Sequence, residues 1–342
     1  MSIIVNRDIN MRSSILALLL CCGLIISCNS GEIRFPIEET LAQELFPLQG
    51  ITDPVRVEVK SPFLIVQNWK RSDSLFHIYD LNTCELKSAF GVEGRGPDEF
   101  LVPWMFHTKF PDIFIGDISV NRVRRFGISS DGLPVLKEVK HSNFIQEINE
   151  AAFINDSLFV LDPRYLAPSI YLLSFEDDLP RRTFQFRNPD ILDYYADPDM
   201  ADVYANDSRV VLCYGWKKQI DFLDTELNLL KRVTFKYDGA PGVINSDNEA
   251  DVKVSYVSSY LGRRYLYALF MGVSWREHRG INSYRGTSLE VFDLDGNPVA
   301  RYRLDGVRPI HFSVDEDTFT LYGSGREALE DHLVVYRLKG LL

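Results

Sequence analysis

The sequence is short of the features that usually announce an activity. Its 342 residues hold five cysteines and six histidines, and no two of these fall at the spacing of a zinc site. Neither a Gly-x-Ser-x-Gly elbow nor a His-Glu-x-x-His motif is present, so the commonest serine- and zinc-hydrolase signatures are missing. Positive charge is also scarce. The 37 Lys and Arg against 48 Asp and Glu give a net charge of −11, whereas binding a phosphate backbone needs a concentrated basic surface. A nucleic-acid partner is therefore not expected. After Ser27 no run reaches the about 20 apolar residues of a membrane-spanning helix. What the chain does have is core material: 46% hydrophobic and 12% aromatic residues exclude general disorder.

That apolar content is organised as a repeat. An apolar strand, a polar turn and a second apolar strand ending near an acidic turn recur six times. The copies are Phe63–Gln67 with Leu75–Asp80, Ile113–Asp117 with Val123–Phe126, and Leu158–Asp162 with Ile170–Phe175. Val210–Tyr214 with Ile220–Asp224, Leu266–Met271 with Leu289–Asp293, and Phe319–Gly323 with Leu333–Leu338 complete the set. A period of about 40–55 residues is that of four-stranded blades stacked around an axis. No blade can bury both of its faces alone, so the repeat predicts a closed ring: an all-β, six-bladed propeller.

Within each copy the strands read as an A–B–C–D meander. Blade 1 has A at Val55–Lys60, B at Phe63–Gln67, C at Leu75–Leu81 and D at Cys84–Phe90. Blades 2 to 5 run from Trp104 to Val139, Ile148 to Phe186, Val203 to Tyr237 and Val252 to Leu304. Asp295-Gly296-Asn297 marks the clearest hairpin. Blade 6 supplies only A at His311–Val314, B at Thr318–Tyr322 and C at His332–Leu338. The stretch Ile33–Ile37 is expected to add the missing outer strand, closing the ring and removing an exposed edge. A seventh blade would have to hide in Asn188–Asp202 or Gly239–Glu249, and both are too short.

The N-terminus reads as a targeting segment. Arg7 and Arg12 precede the apolar run Ile15–Ile26, with Met11 a second candidate start, and Leu24-Ile25-Ile26-Ser27-Cys28 gives way at once to Asn29-Ser30-Gly31-Glu32. This resembles a bacterial lipoprotein signal, in which the cysteine after a small residue is lipidated. The resemblance implies residues 1–27 as signal peptide, Cys28 as the lipidation site, 28–32 as a tether and 33–342 as the propeller. Asn29 is not the Asp that marks inner-membrane retention, so the outer membrane is the expected location. Only Cys84 and Cys213 then remain in the propeller. They fall in blades 1 and 4, too far apart for a disulfide, and read as two buried apolar-like thiols.

Two motifs carry a family resemblance. Gly91-Val92-Glu93-Gly94-Arg95-Gly96-Pro97-Asp98-Glu99-Phe100 is similar to the G-x-x-G-x-G-P-x-E-F signature between blades 1 and 2 of TolB-like six-bladed propeller lipoproteins. Asp117-x₃-Asn121-Arg122-x₃-Phe126 resembles the D-x₃-N-R-x₃-F pattern of such blades. The resemblance implies a fold and an envelope location, with no agreed activity. The glycines do not make a phosphate loop, since Pro97, Pro103 and a following strand leave no helix N-terminus to face an anion. A structural link is the better reading, with Arg95 and Glu99 placed to pair.

Topology yields the candidate site. In a meander the B–C and D–A links share one face of the ring. Trp69, Trp216 and Trp275 fall in B–C links and Trp104 in a D–A link, so all four tryptophans map to one rim. Arg122, Arg164 and Arg276 lie in the same links, as do Lys70, Arg71, Lys217, Lys218 and Arg279. The expected site is an aromatic and basic mouth, with Trp69, Trp104, Arg122, Arg164, Trp216, Trp275 and Arg276 as ligand contacts. The competing reading is that the tryptophans cap blade cores. The long loop Gly272–Gly286 is the first choice for contact. The function expected is a non-enzymatic binding or scaffolding propeller, monomeric, without cofactor or metal. Its partner would be an envelope protein, a peptide or a glycan, and it would meet the membrane only through its lipid anchor. The alternative is a propeller hydrolase or lyase with a channel metal held by Asp117, Asn121 or the histidines His77, His107, His141, His278, His311 and His332. An enzyme calls for a convergent polar cluster deep in the channel, and an apolar channel would exclude it.

Overall fold

Strands of alternating and continuous apolar character account for nearly all regular structure among the described residues. A computed structural model describes residues 34–341 apart from 52, 70–73, 142–150, 165, 237–241, 281–286 and 325–330. Cys28 and the signal segment, with Lys70 and Arg71, lie outside the described residues. Two strands come first, β1 (Ile37–Ala42) and β2 (Glu44–Pro47). Blade 1 follows as β3 (Pro54–Lys60), β4 (Phe63–Asn68), β5 (Phe76–Asp80) and β6 (Leu86–Phe90). Blade 2 is β7 (Pro103–Phe106), β8 (Ile113–Asp117), β9 (Arg122–Ile128) and β10 (Pro134–His141). Blade 3 is β11 (Ala151–Phe153), β12 (Leu158–Leu161), β13 (Ser169–Ser174) and β14 (Arg182–Gln185). Blade 4 is β15 (Ala201–Ala205), β16 (Val210–Tyr214), β17 (Gln219–Leu223) and β18 (Leu229–Thr234). Blade 5 is β19 (Tyr256–Leu261), β20 (Tyr265–Phe270), β21 (Ser288–Asp293) and β22 (Pro298–Asp305), with a short helix α1 (Trp275–Gly280) between β20 and β21. Blade 6 is β23 (His311–Asp315), β24 (Thr320–Ser324) and β25 (His332–Arg337). Within each of the six sheets the strands of the blade itself run as an antiparallel meander, as the repeat predicts.

Burial falls from the middle of each blade to its rim, and the sequence shows why. The second strands β4, β8, β16 and β24 are buried at every residue. They lie between neighbouring blades and are apolar on both faces. The outer strands β6, β10, β14 and β18 carry lysines and arginines and are mostly exposed or half-buried, a charged edge that resists pairing with another chain. The hydrophobic core is divided into seams, one between each pair of blades. Phe76, Ile78 and Phe100 meet Met105, Ile113 and Ile115 between blades 1 and 2. Tyr267, Leu269 and Val291 meet Val314, Leu321 and Val334 between blades 5 and 6.

The ring closes with an N-terminal strand, but not with Ile33–Ile37. β2 pairs antiparallel with β25, Glu44 opposite Val335 and Pro47 opposite His332, and becomes the fourth strand of blade 6. β1 instead adds a fifth strand to blade 5, parallel to β22 from Ile37↔Ala300 to Ala42↔Asp305. The reason lies in where the apolar anchors sit. Phe46 is 4% exposed and stands edge-on to Tyr79 at 6.0 Å and Tyr322 at 5.9 Å, joining blade 1 to blade 6. Phe35 has no such seam to enter. It packs on Phe292 at 5.6 Å, under the Arg301 guanidinium at 4.3 Å, on the outer part of blade 5.

Acidic residues close the turns at the C–D ends. The Asp293 carboxylate accepts the backbone N–H groups of Asp295 (3.0 Å) and Asn297 (2.7 Å), and Gly296 takes φ +73° between them. Asp80 and Asp224 cap their turns in the same way, the expected behaviour of Asp in tight turns. Cys84 and Cys213 are free thiols. Cys213 is buried, which pushes its thiol up to about 12, while Cys84 is only half-buried rather than enclosed as expected.

Candidate functional site

The B–C and D–A links meet on one face, and the four tryptophans sit there in different ways. Trp69, directly after β4, is 57% exposed. Trp104 is the second residue of β7, half-buried, with the Arg56 guanidinium stacked 3.7 Å from its ring centroid. Trp216 is 5% exposed and sits among Ile244, Val252, Val254 and Met271 in the seam between blades 4 and 5, with Trp275 packed against the same group. For Trp216 the core-cap reading describes the geometry, and the ligand-contact reading does not.

Among the described residues, the basic side chains of these links are held by acids and carbonyls. Arg122 donates to the carbonyls of Pro97 (3.2 Å) and Glu99 (3.1 Å) and lies 3.6 Å from Asp117. Arg124 adds bonds to Pro97 (2.5 Å), Asp98 (3.1 Å) and Glu99 (2.9 Å). These two side chains clamp the Gly91–Phe100 link, whose Glu99 caps Gly96 N–H at 2.6 Å rather than pairing with Arg95. Its carboxylate would lie 2.0 Å from a Cβ at Gly94, so the motif is a folded link built around an internal carboxylate. Arg164 pairs with Asp202 at 2.7 Å, Lys217 with Asp199, and Arg276 with Asp251 at 2.5 Å. Lys218 is buried against Glu290 at 2.8 Å, with the Phe270 ring 3.8 Å away, and burial holds its amine below the ordinary lysine value. Within Gly272–Gly286, residues 275–280 form α1 and 281–286 lie outside the described residues.

An axial cavity of about 320 Å³ lies among the inner strands. All six innermost strands line it. Arg164, from the β12–β13 link, and Ile310, from the β22–β23 link, carry its lining to the tryptophan face. Its wall is polar. From β3 come Arg56 and Glu58, and from β15 Asp202 and Tyr204. His107, just past β7, donates from Nδ1 to the Glu58 carboxylate and lies 4.0 Å, ring to ring, from Tyr260. Lys60 lies 3.4 Å from the other Glu58 oxygen and donates to the Thr108 carbonyl and, at 3.0 Å, to its hydroxyl. Burial lowers the Lys60 amine while Glu58 opposes that shift. The Asp202 side chain, 41% exposed on the cavity wall, has its carboxyl raised by desolvation against the pull of Arg164 and Arg56. The channel is therefore not apolar, and the condition that would have excluded an enzyme is not met.

The metal candidates fare differently. Asp117 is fully buried at the end of β8, where its carboxylate accepts Leu101 N–H (3.0 Å) and Val102 N–H (3.2 Å). Asn121 takes φ +51° in the adjoining turn. Neither lines the axial cavity; Asp117 holds the blade 1–2 link, and Asn121 shapes the turn after β8. Of the histidines, His107 and His311 line the cavity, His77 is buried within blade 1, and His332 pairs with Asp331 at 2.7 Å. Among the described residues, no three His, Cys, Asp or Glu side chains cluster as metal ligands. Sequence reasoning missed Arg56, Glu58 and Lys60 although the signal was present. Val55-Arg56-Val57-Glu58-Val59-Lys60 alternates strictly, and an alternating strand with charges on one face at the inner position must turn them to the axis.

The sequence matches the family described as TolB-like 6-blade propeller-like over residues 34–175 and 203–317. Solved structures share the architecture at low identity. A member of the DUF4221 family from Bacteroides vulgatus superposes with a TM-score of 0.55 at 14% identity, covering 90% of this chain and 98% of its own. A protein of Bacteroides fragilis, provisionally described as exported, superposes with a TM-score of 0.53 at 12% identity, covering 88% and 98%. A comparison with curated proteins finds no significant match.

Proposed function

The chain belongs to the TolB-like six-blade propeller family, and from that premise we propose that it is a non-enzymatic binding propeller of the bacterial envelope. Its ligand is a small molecule, or the end of a peptide or glycan chain, received in the axial cavity. The cavity carries the reading. At about 320 Å³ it lies at the low end of the roughly 300–1,000 Å³ of small-ligand pockets, too small for a folded domain. The wall offers Arg56, Arg164 and Trp104 beside Glu58 and Asp202, so the ligand carries donors and acceptors together. Export is supported by the N-terminal apolar run and by the structural relative described as exported. β1 enters at the hairpin end of β22, opposite the B–C and D–A links. Cys28→Ser is expected to release the protein from membranes or leave it unprocessed, and unchanged fractionation refutes the anchor.

Titration calorimetry of the purified protein against short peptides and oligosaccharides tests the binding reading. A ligand whose affinity falls at least about tenfold in Arg164→Gln or Trp104→Ala, with the melting temperature kept, supports it. Ligands that bind equally well to both variants overturn it. The hydrolase or lyase alternative keeps one observation on its side, the Glu58–His107 pair on the cavity wall. Turnover of a bound ligand, lost in His107→Gln, would favour that alternative.

A further inference from the structure

Beside the cavity mouth stands a crest of exposed apolar side chains that ligand binding in the cavity does not use. Leu192 is 87% exposed, Leu166 74%, Tyr195 51% and Val243 51%. They come from three links on the mouth face, and side-chain and backbone contacts join those links. Arg187 donates to the carbonyls of Arg164 (2.7 Å) and Ala167. The Tyr194 ring sits 4.7 Å from the Arg164 guanidinium and 5.2 Å from the Tyr195 ring. Ile244 N–H donates to the Ala196 carbonyl at 2.8 Å.

The link carrying Leu192 and Tyr195 is itself folded. The buried Asp197 carboxylate accepts Asn188 N–H at 3.0 Å and Asp199 N–H at 2.8 Å, and the Tyr194 hydroxyl donates to the Ala201 carbonyl at 2.8 Å. Joining β14 to β15 needs no such length, and a scaffold that holds leucines outward suits recognition rather than core packing. The rim of the crest is acidic. Asp190, Asp193, Asp247 and Glu249 are exposed, and among the described residues none of the four makes an ion pair.

We infer that this crest is a docking surface for a protein segment that presents apolar anchors flanked by lysine or arginine. Apolar centre and charged rim are the anatomy of a protein interface, and the sign of the rim selects the partner. A second copy would set acid against acid on a chain of net charge −11, and an anionic lipid surface would be repelled in the same way.

The test uses the full-length protein and three labelled peptides read by fluorescence anisotropy. One has a Leu-Trp centre flanked by lysines, one the same centre flanked by glutamates, and one a Ser-Ser centre flanked by lysines. The first is expected to bind at least about tenfold more tightly than either control. Leu192→Ser combined with Tyr195→Ser should weaken it about tenfold with the melting temperature unchanged, since both side chains are exposed. Asp190→Asn with Asp193→Asn should flatten its salt dependence. Equal binding of the three peptides, or a double serine variant that binds like the parent, overturns the inference. A dimer in sedimentation that Leu192→Ser dissolves overturns the choice of partner and assigns the crest to a second copy.

Discussion

The seams between blades and the wall of the axial cavity are built from adjacent strands to opposite requirements. A seam such as that between blades 5 and 6 is a continuous apolar layer in which most side chains are fully buried. Each seam resembles the others in composition because each must satisfy the same face-to-face packing. The wall differs from blade to blade. β3 contributes Arg56 and Glu58, β11 only Ala151 and Ala152, β15 Asp202 and Tyr204. The contrast teaches that stability rests on the middle strands, which leaves the innermost strands free to carry chemistry.

That contrast can be broken by substitution, starting with the seam that closes the ring. Phe46→Ala removes the aromatic bridge between blades 6 and 1 and should cost about 4 kcal/mol, read as a lower denaturation midpoint. A loss below about 1 kcal/mol would show that β2 does not hold the ring closed. Next is the polar island within the blade 4–5 seam, where fully buried Glu290 accepts from Lys218 (2.8 Å), Tyr256 (2.9 Å) and Arg301 (3.2 Å). Glu290→Gln leaves the lysine uncompensated and should cost about 3 kcal/mol, measured by urea unfolding.

Lys109, near the hairpin end of the channel, sharpens the comparison in the other direction. Burial lowers its amine to about 8, with Glu316 and Asp207 opposing. Between about 8 and its ordinary value of 10.5 the unfolded chain holds the proton and the folded chain has released it. Stability therefore rises with pH across that window, and the full penalty stands below it. Lys109→Met should raise stability at pH 7 by about 1–2 kcal/mol, discounted for solvent screening around a half-buried side chain whose amine nitrogen is itself buried, and the gain should shrink towards pH 10.5. A pH-independent difference would remove the titration account. The smallest effect belongs to the wall itself. Asp202→Asn should change stability by less than about 1 kcal/mol while altering ligand affinity, and a loss as large as that of Phe46→Ala would erase the distinction between seam and wall.

Much of the ring was legible in the chain because burial on both faces leaves a plain trace. Strands such as Leu64–Val66 and Val210–Cys213 can be so apolar only if sheets cover both sides. The turn acids Asp80, Asp224 and Asp293 were legible for an equally local reason, since their carboxylates bond to N–H groups two to four residues on. The charged mouth was legible only in part. Placing Arg164 and Arg276 on one face follows from strand order, but their partners Asp202 and Asp251 are 38 and 25 residues away, and linear spacing carries no trace of such pairings. Trp216 shows the same limit: its link is evident from sequence, its burial under blade 5 is not.

The sequence by itself determined the blade count, the order of strands and the face to which each link belongs, because hydrophobic period and turn chemistry are local properties. Tertiary structure alone decided which N-terminal stretch closes the ring, since β1 and β2 are both plausible strands and only the seam selects Phe46. It also decided which cations are neutralised and what faces the axis. Those outcomes depend on side chains brought together from six separate blades, and contact between distant segments is a property of the closed ring.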